Sequence, residues 1–212
     1  MLSGWGCGFL VLTVYDYLDS GNGYKIRLLL AQVKRPYHWV ELDILSGATR
    51  TAGFLAKNPN GRIPTLELED GTCLAESDAI LWYLAEGTDF LPSEPLSRAQ
   101  VLQWMFFEQY SHEPYVATPR FIRKHLSEDS PRRAELSARL AQGRAALAVM
   151  DAHLATRRYF VAERYTIADI ALYAYTHVAE EAGLELEPYP HLRAWLARVA
   201  AEPAHVPLTH RP

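Results

Sequence analysis

The chain has little cysteine: only two stand among its 212 residues, and Cys7 and Cys73 are far apart. They form no Cys-x-x-Cys pair and offer no disulfide framework, which argues against a disulfide-rich secreted domain. The eight histidines are scattered, and none stands at metal-ligand spacing from a partner. These shortages predict a protein of the reducing cytoplasm that holds no metal.

An excess of positive charge and long apolar runs are also missing. The formal net charge is -4, so the chain lacks the basic surplus that neutralises a nucleic-acid backbone. No apolar run reaches the roughly 18 residues of a membrane span. The stretch from Gly8 to Val14 is apolar but short, and no basic residue precedes it, so it predicts a buried strand rather than a secretory signal. We therefore expect neither nucleic acid nor membrane as a partner.

The most informative stretch runs from Asn58 to Ser77. Two short apolar runs flank an acidic turn ending in Gly71, which is typical of a hairpin. Proline has no N–H, so the Ile63-Pro64 pair belongs at the start of a strand. In the cis form, Ile63 would present its N–H and C=O to an extended peptide. Glu76-Ser77 then opens a helix, where free N–H groups attract a carboxylate and Glu76 attracts an ammonium.

Each of these features has an ordinary explanation. Most X-Pro bonds are trans, and an acidic residue followed by serine is a common helix start. Their joint occurrence on both sides of one hairpin favours a binding site.

The segment from Asn58 to Leu84 reads Asn-Pro-x-Gly-x-Ile-Pro, followed by Glu-Ser-x-Ala-Ile-x-x-Tyr-Leu. This pattern resembles the glutathione-binding half of the glutathione S-transferase superfamily, and the similarity extends from Leu10 to about Leu208. The resemblance implies a bacterial, cytosolic type of transferase, glutathione as co-substrate, and a homodimer with its sites near the interface.

Apolar periodicity predicts a first domain over residues 9–87. A strand, a helix and a strand in that order make a parallel βαβ unit. A short helix, the hairpin and a further helix complete a thioredoxin-like βαβ-α-ββ-α domain with a mixed sheet, which the resemblance also implies. The predicted elements are strand 9–15, helix 24–33, strand 37–44, helix 51–57, the hairpin, and helix 77–86.

Residues 88–96 predict a linker, and residues 97–208 an all-helical domain. A helix from Ser97 to His112 should break near Pro114 and Pro119. Helical stripes recur over 132–154 and 192–199. Thr166 and Asp169 form a capping box at the start of another helix, with Tyr165 and Ile170 as a hydrophobic staple.

The loop after the first strand contains Ser20 and Asn22. Glutathione reacts as its thiolate, so an enzyme needs a hydrogen-bond donor aimed at sulfur near a helix start. The resemblance implies that the activating residue lies in this loop, and the loop is similar to serine-using theta-type and to Nu-type members. Both residues stay open as catalytic candidates, with Ser20 favoured slightly. The ordinary explanation for Ser20 is that it only caps the helix. Tyr17 is better explained as a pocket wall.

The remaining candidates would hold substrates. Arg62 is a candidate for the glycyl carboxylate of glutathione, with Lys57 and Asn60 as weaker ones. A hydrophobic electrophile would lie against aromatic residues of the broken helix, although such a stripe more often belongs to a core. The glutathione candidates are Lys57, Asn60, Arg62, Ile63, Pro64, Glu76 and Ser77, and the hydrophobic-site candidates are Tyr17, Phe106, Tyr110 and Tyr115.

The expected function is transfer of the glutathione thiolate to a hydrophobic electrophile. Glutathione-dependent disulfide reduction is an alternative, suggested by the likeness of Asn22 to Nu-type proteins. A third is a module that binds glutathione or a protein without turnover.

Overall fold

The computed structural model describes residues 11–212. Four strands form one sheet in the order β2-β1-β3-β4, with β1 and β2 parallel and the other two pairs antiparallel. Val14 lies at the centre, opposite Trp39 on one side and Leu66 on the other. The mixed sheet predicted for a thioredoxin-like domain is confirmed. The strands are β1 (Leu12–Asp16), β2 (Tyr37–Glu41), β3 (Thr65–Glu67) and β4 (Cys73–Ala75).

Helices cover the sheet and form the whole of the second half. The second half contains no strand within the described residues, which confirms the predicted all-helical region. The helices are α1 (Gly21–Gln32), α2 (Ala52–Leu55), α3 (Ser77–Ala85), α4 (Pro95–Phe107), α5 (Glu113–His125), α6 (Leu136–Leu154), α7 (Ile167–Thr176) and α8 (Pro190–Ala200).

Several element boundaries differ from those predicted, because side chains decide where an element starts. The first strand begins at Leu12, and its predicted residues 9 and 10 lie outside the described part. Helix α1 begins three residues early because the Ser20 side chain caps it. Strand β2 ends at Glu41, since the Asp43 carboxylate accepts hydrogen bonds from the following backbone. Helix α4 starts at Pro95, inside the predicted linker, because Glu94 caps it. The domain boundaries themselves stay a prediction.

The predicted break at the two prolines is wrong. Residues 108–112 form a π-helical segment, and α5 follows directly with Pro114 in its first turn and Pro119 inside it. A proline in a first helical turn removes an N–H that has no partner within the helix, so Pro114 does not end the helix. The irregularity therefore precedes both prolines.

The capping box at α7 is confirmed. Asp169 is fully buried, and its carboxylate accepts hydrogen bonds from the Thr166 backbone N–H and from Trp195 Nε1. Burial raises the pKa of Asp169 to about 7. The box thus joins the start of α7 to α8.

A fully buried arginine joins the first domain to the C-terminal tail. Arg27 of α1 pairs with Asp16 at 3.0 Å. Its guanidinium also donates to the backbone oxygens of Leu18, Leu208 and His210 at 2.6–3.0 Å. These contacts hold the C-terminal tail against the first domain.

Candidate functional site

The edge beside β3 has the geometry that the Ile-Pro pair predicted. The Ile63–Pro64 peptide bond is cis. Within residues 11–212, no protein group hydrogen-bonds to the Ile63 N–H or C=O. Asn58 shapes the preceding turn, because its buried amide donates to the Arg62 carbonyl at 2.8 Å and to Thr65 at 3.2 Å. Asn58 was missed as a site residue, although the Asn-Pro pair belongs to the motif that carries the family resemblance.

Glu76 and Ser77 stand at the start of α3, as predicted. Glu76 has a left-handed backbone, with φ 67°, and its side chain is exposed. Ser77 is buried, and its hydroxyl accepts from Lys25 Nζ at 3.2 Å and donates to Asn22 Oδ1 at 3.3 Å. The Ser77 side chain is therefore turned towards α1, and its backbone N–H remains at the end of the helix.

Ser20 and Asn22 hold different positions in the loop. Ser20 Oγ accepts the Gly23 N–H at 3.3 Å, so the capping interpretation holds, yet the same residue lines a cavity. Asn22 lines the cavity too, but both atoms of its amide are engaged. Its Oδ1 accepts from Ser77, and its Nδ2 donates to Glu113 Oε1 at 3.2 Å. The hydroxyl hydrogen of Ser20 is thus the freer donor of the two.

Behind Asn22 lies a buried cluster of charges. Lys25 is fully buried, and its Nζ lies 2.8 Å from Glu108 and 3.0 Å from Asp78. Burial alone would lower the pKa of Lys25, but the two carboxylates raise it above its usual value. The cluster joins α1, α3 and the π-helical segment beneath the Ser20 loop.

Two residues of the helical half enter the site from α5 and α7. Glu113 lines the cavity beside Asn22, and burial raises the pKa of its carboxyl against the opposing charge of Lys25. Tyr175 is also buried and lines the cavity. Both were missed, because they lie far along the chain from the loop and belong to no local motif.

The cavity between the two halves has a volume of about 590 Å³. Ser20 and Asn22 line it at the first helix, and Arg62 and Ile63 at the edge. Three of its lining side chains are cationic: Arg50, Arg62 and Arg132. A smaller cavity of about 70 Å³ adjoins it, shares Ser20 and Tyr175, and includes Tyr17, which fits the predicted pocket wall.

Several predicted site residues lie elsewhere. Lys57 pairs with Glu67 at 2.8 Å and lines neither cavity. Asn60 is exposed, and its carbonyl accepts a hydrogen bond from Arg50. Pro64 is buried behind the edge that it shapes.

The aromatic stripe was placed wrongly with respect to the cavity. Phe106 is 68% exposed and Tyr110 83%, while Tyr115 lines a separate groove next to Arg139. The π-helical segment adds one residue to a turn, which rotates the following residues by about 100° relative to an uninterrupted helix. Phe121, which follows the π-helical segment, lines the cavity.

Within the described residues, no cluster of acidic, histidine or cysteine side chains could hold a metal. Among the same residues, none of the helices is both long and apolar enough to cross a membrane.

Comparison with known protein families supports the family resemblance that the sequence motifs indicated. The family model for the glutathione S-transferase N-terminal domain matches residues 10–86, and that for the C-terminal domain matches residues 103–203. The chain belongs to the glutathione S-transferase family. A crystal structure of a glutathione S-transferase from Pseudomonas fluorescens Pf-5 is 56% identical, with a TM-score of 0.91, and covers 94% of this chain and 100% of that one.

More distant relatives also match. A glutathione transferase family member from Pseudomonas fluorescens Pf-5, solved with two glutathione bound, is 28% identical with a TM-score of 0.80 over 94% of this chain and 93% of that one. The elongation factor 1-gamma of Equus caballus is 30% identical over 90% of this chain. This chain spans only 44% of that relative's length.

Proposed function

We propose that the protein is a glutathione transferase, which joins the glutathione thiolate to an electrophilic carbon. The observation that carries the proposal is the placement of the cis-proline edge and the Ser20 loop on one cavity. An extended tripeptide paired with Ile63 would place its central cysteine over the start of α1. The bound glutathione that the Pseudomonas fluorescens relative contains supports this use of the fold.

In this mechanism, the protein stabilises the thiolate. A free thiol has a pKa of about 8.5, so most glutathione is protonated at neutral pH. Ser20 donates its hydroxyl hydrogen to sulfur, and the positive end of α1 favours the anion. The amide of Asn22 is engaged on both sides, which favours Ser20 as the donor and gives Asn22 a positioning role.

The two ends of glutathione have separate partners in the proposal. The N–H groups at the start of α3 and the Glu76 carboxylate receive the amino-acid end. Arg62 is exposed at the cavity and receives the glycyl carboxylate. Lys57 and Asn60 have only a supporting part, because their contacts lie within the protein.

Binding and activation can be tested separately. Retention on immobilised glutathione tests binding, with Arg62→Gln as the variant and Arg157→Gln, on an exposed surface, as its matched control. The ultraviolet absorbance of bound thiolate, followed against pH, tests activation. We expect retention of the wild type and a bound thiol pKa below that of free glutathione. A protein that does not bind glutathione would refute the proposal.

A glutathione-dependent disulfide reductase is the second candidate, favoured by the three arginines of the cavity. Two glutathione molecules, or a glutathione disulfide, carry several carboxylates that guanidinium groups hold well. The bound thiolate would attack one sulfur of a disulfide, form a new S–S bond and release the other sulfur as a thiolate. The relative solved with two glutathione bound supports room for both.

A binding module without turnover is the third candidate. The matching protein from Equus caballus is an elongation factor, which supports a use of the fold other than transfer chemistry. A bound thiol that titrates like free glutathione, together with normal retention, would identify this case.

The proposal includes a homodimer in the cytoplasm. Phe106 and Tyr110 are exposed aromatic residues next to each other on α4 and the π-helical segment, and a second subunit would cover them. Light scattering of the purified protein tests this part: a monomeric mass would contradict it.

A further inference from the structure

Tyr175 covers the start of the helix on which the proposed thiol site lies. A Cβ atom added to Gly21 would meet three carbons of the Tyr175 ring at 2.7–2.8 Å. The ring therefore packs directly against the Gly21 backbone, at a position where only glycine leaves room. Tyr175 also lines both cavities that Ser20 lines. A tyrosine of the helical half thus reaches the loop at which the thiol would be held.

The Tyr175 hydroxyl interacts with that loop. Burial, the main influence, raises the pKa of the phenol well above its ordinary value, and the Glu113 carboxylate adds to the rise. The Ser20 side chain and the Asn22 backbone act in the opposite direction and lower the pKa of the phenol. Tyr175 accordingly keeps its proton at neutral pH. Among residues 11–212 the Tyr175 hydroxyl donates to no protein group, so its hydrogen is available to an acceptor in the cavity that it lines.

We propose that Tyr175 is a second catalytic hydroxyl, which donates a hydrogen bond to the glutathione sulfur beside Ser20. This role rests on the proposed function. The thiol proton leaves to solvent, the sulfur keeps its electron pair, and both hydroxyls donate to the resulting anion. The sulfur then forms its bond to the electrophile as the leaving group departs, and Tyr175 keeps its own proton throughout. A phenol is more acidic than an alcohol, so it is the stronger donor to an anion.

The test compares Tyr175→Phe with Tyr173→Phe. Tyr173 is a buried tyrosine of the same helix, but its ring stacks on His177 at 4.7 Å, away from the cavity. Each variant removes a single hydroxyl from a ring that stays in place. The bound thiol is titrated by its ultraviolet absorbance, and kcat/KM with an aryl halide is measured across the same pH range. Affinity for S-methylglutathione, which has no thiol, checks that the site is intact.

We expect Tyr175→Phe to raise the pKa of the bound thiol by about one unit, which is the loss of one hydrogen bond to an anion. The value of kcat/KM should fall about tenfold below that pKa and approach the wild-type value above it. Tyr173→Phe should leave both profiles unchanged. A Tyr175→Phe variant with an unshifted thiol pKa would overturn the role while leaving the proposed function intact. If the thiol on the wild type titrates like free glutathione, both proposals fail.

Discussion

The Ser77 hydroxyl donates a hydrogen bond to Oδ1 of Asn22 across 3.3 Å, and so joins the start of α3 to the first turn of α1. On its other side, Asn22 donates to Glu113 of α5. The amide of Asn22 is thereby held between two helices, and Ser20 is left as the loop side chain with a free hydrogen to donate. This difference between the two candidates leads to a prediction for each.

Ser20→Ala should lower kcat/KM by at least tenfold, about 1.4 kcal/mol of barrier, because the thiolate loses a donor. The same change removes the cap of α1 and should cost about 1 kcal/mol of stability. Ser20→Asp serves as the matched control, since aspartate restores the cap but places a negative charge beside the sulfur. Thermal melts and steady-state rates on all three proteins separate the two effects. Recovery of activity in Ser20→Asp would contradict the donor role.

Asn22→Ala should act mainly on stability. It leaves the Ser77 hydroxyl and the Glu113 carboxylate without their partner, which should cost about 1–3 kcal/mol of unfolding free energy. Denaturant unfolding measures the loss. If Asn22→Ala is as stable as the wild type but raises the pKa of the bound thiol, Asn22 rather than Ser20 is the donor.

Arg132→Gln should discriminate between the candidate reactions. The side chain lines the cavity opposite the first domain and is paired with Glu135 at the protein surface. If the second substrate is anionic, KM for glutathione disulfide should rise about tenfold while kinetics with a neutral aryl halide stay unchanged. Arg123→Gln, which lies outside the cavity, is the control. Equal effects on both substrates would argue against an anionic second substrate.

Lys25→Met should destabilise the protein by about 3–5 kcal/mol, because the buried Glu108 and the half-buried Asp78 would lose their cation. Burial raises the pKa of Glu108 although Lys25 opposes the rise, so the charge of Glu108 depends on its cation. Adding Glu108→Gln to Lys25→Met should recover part of the loss. Urea unfolding of the single and double variants measures the coupling. Strictly additive losses would show that the pair is not coupled.

His112 should make the protein sensitive to acid. Its Nε2 lies 2.9 Å from the Thr176 hydroxyl, which itself donates to a carbonyl, so His112 is the donor. Burial lowers the pKa of His112 to about 3, so between that value and the ordinary pKa of about 6.5 the unfolded chain binds more protons. The contribution of neutral His112 to the free energy of unfolding is therefore fully present above the pKa that His112 has in the unfolded chain. Below that pKa the free energy of unfolding falls as the pH falls, by about 2 kcal/mol at about pH 5.

His112→Gln keeps a donor for Thr176 but cannot be protonated. Its unfolding free energy should fall less steeply than that of the wild type between neutral pH and about pH 5. The difference between the two curves isolates His112, because the other titrating groups are common to both proteins. Two parallel curves would refute the assignment.

The sequence predicted best what depends on neighbouring residues. The hairpin, the helix starting at Ser77 and the capping box at Thr166 each follow from local backbone chemistry, and each is present. The cis bond at Ile63, which the binding-site hypothesis required, is present too. Ser20 and Asn22 could be placed at the site through the family resemblance, since local chemistry alone predicts only a turn and a helix cap.

What the sequence did not reveal depends on contacts between distant elements. Glu113 and Tyr175 reach the loop only after the helical half packs against the first domain. The exposed position of Tyr110 could not be foreseen, because a π-helical turn leaves no clear pattern in the residues that form it. Phe106 precedes this turn and is exposed on α4. A prediction from helical periodicity assumes that the helix is continuous. One residue inserted in a π-helical turn rotates the residues that follow it away from the face on which the periodicity places them.

The buried guanidinium of Arg27 has a consequence for how the molecule comes apart. It belongs to the helix that carries the Ser20 loop, and it is anchored by carbonyls from the last few residues of the chain. Separating the tail from the first domain would leave the guanidinium paired with Asp16 but without two of its carbonyl acceptors. Heating should therefore melt both halves in one cooperative step, and shortening the tail should weaken the first domain, from which it is most distant in sequence.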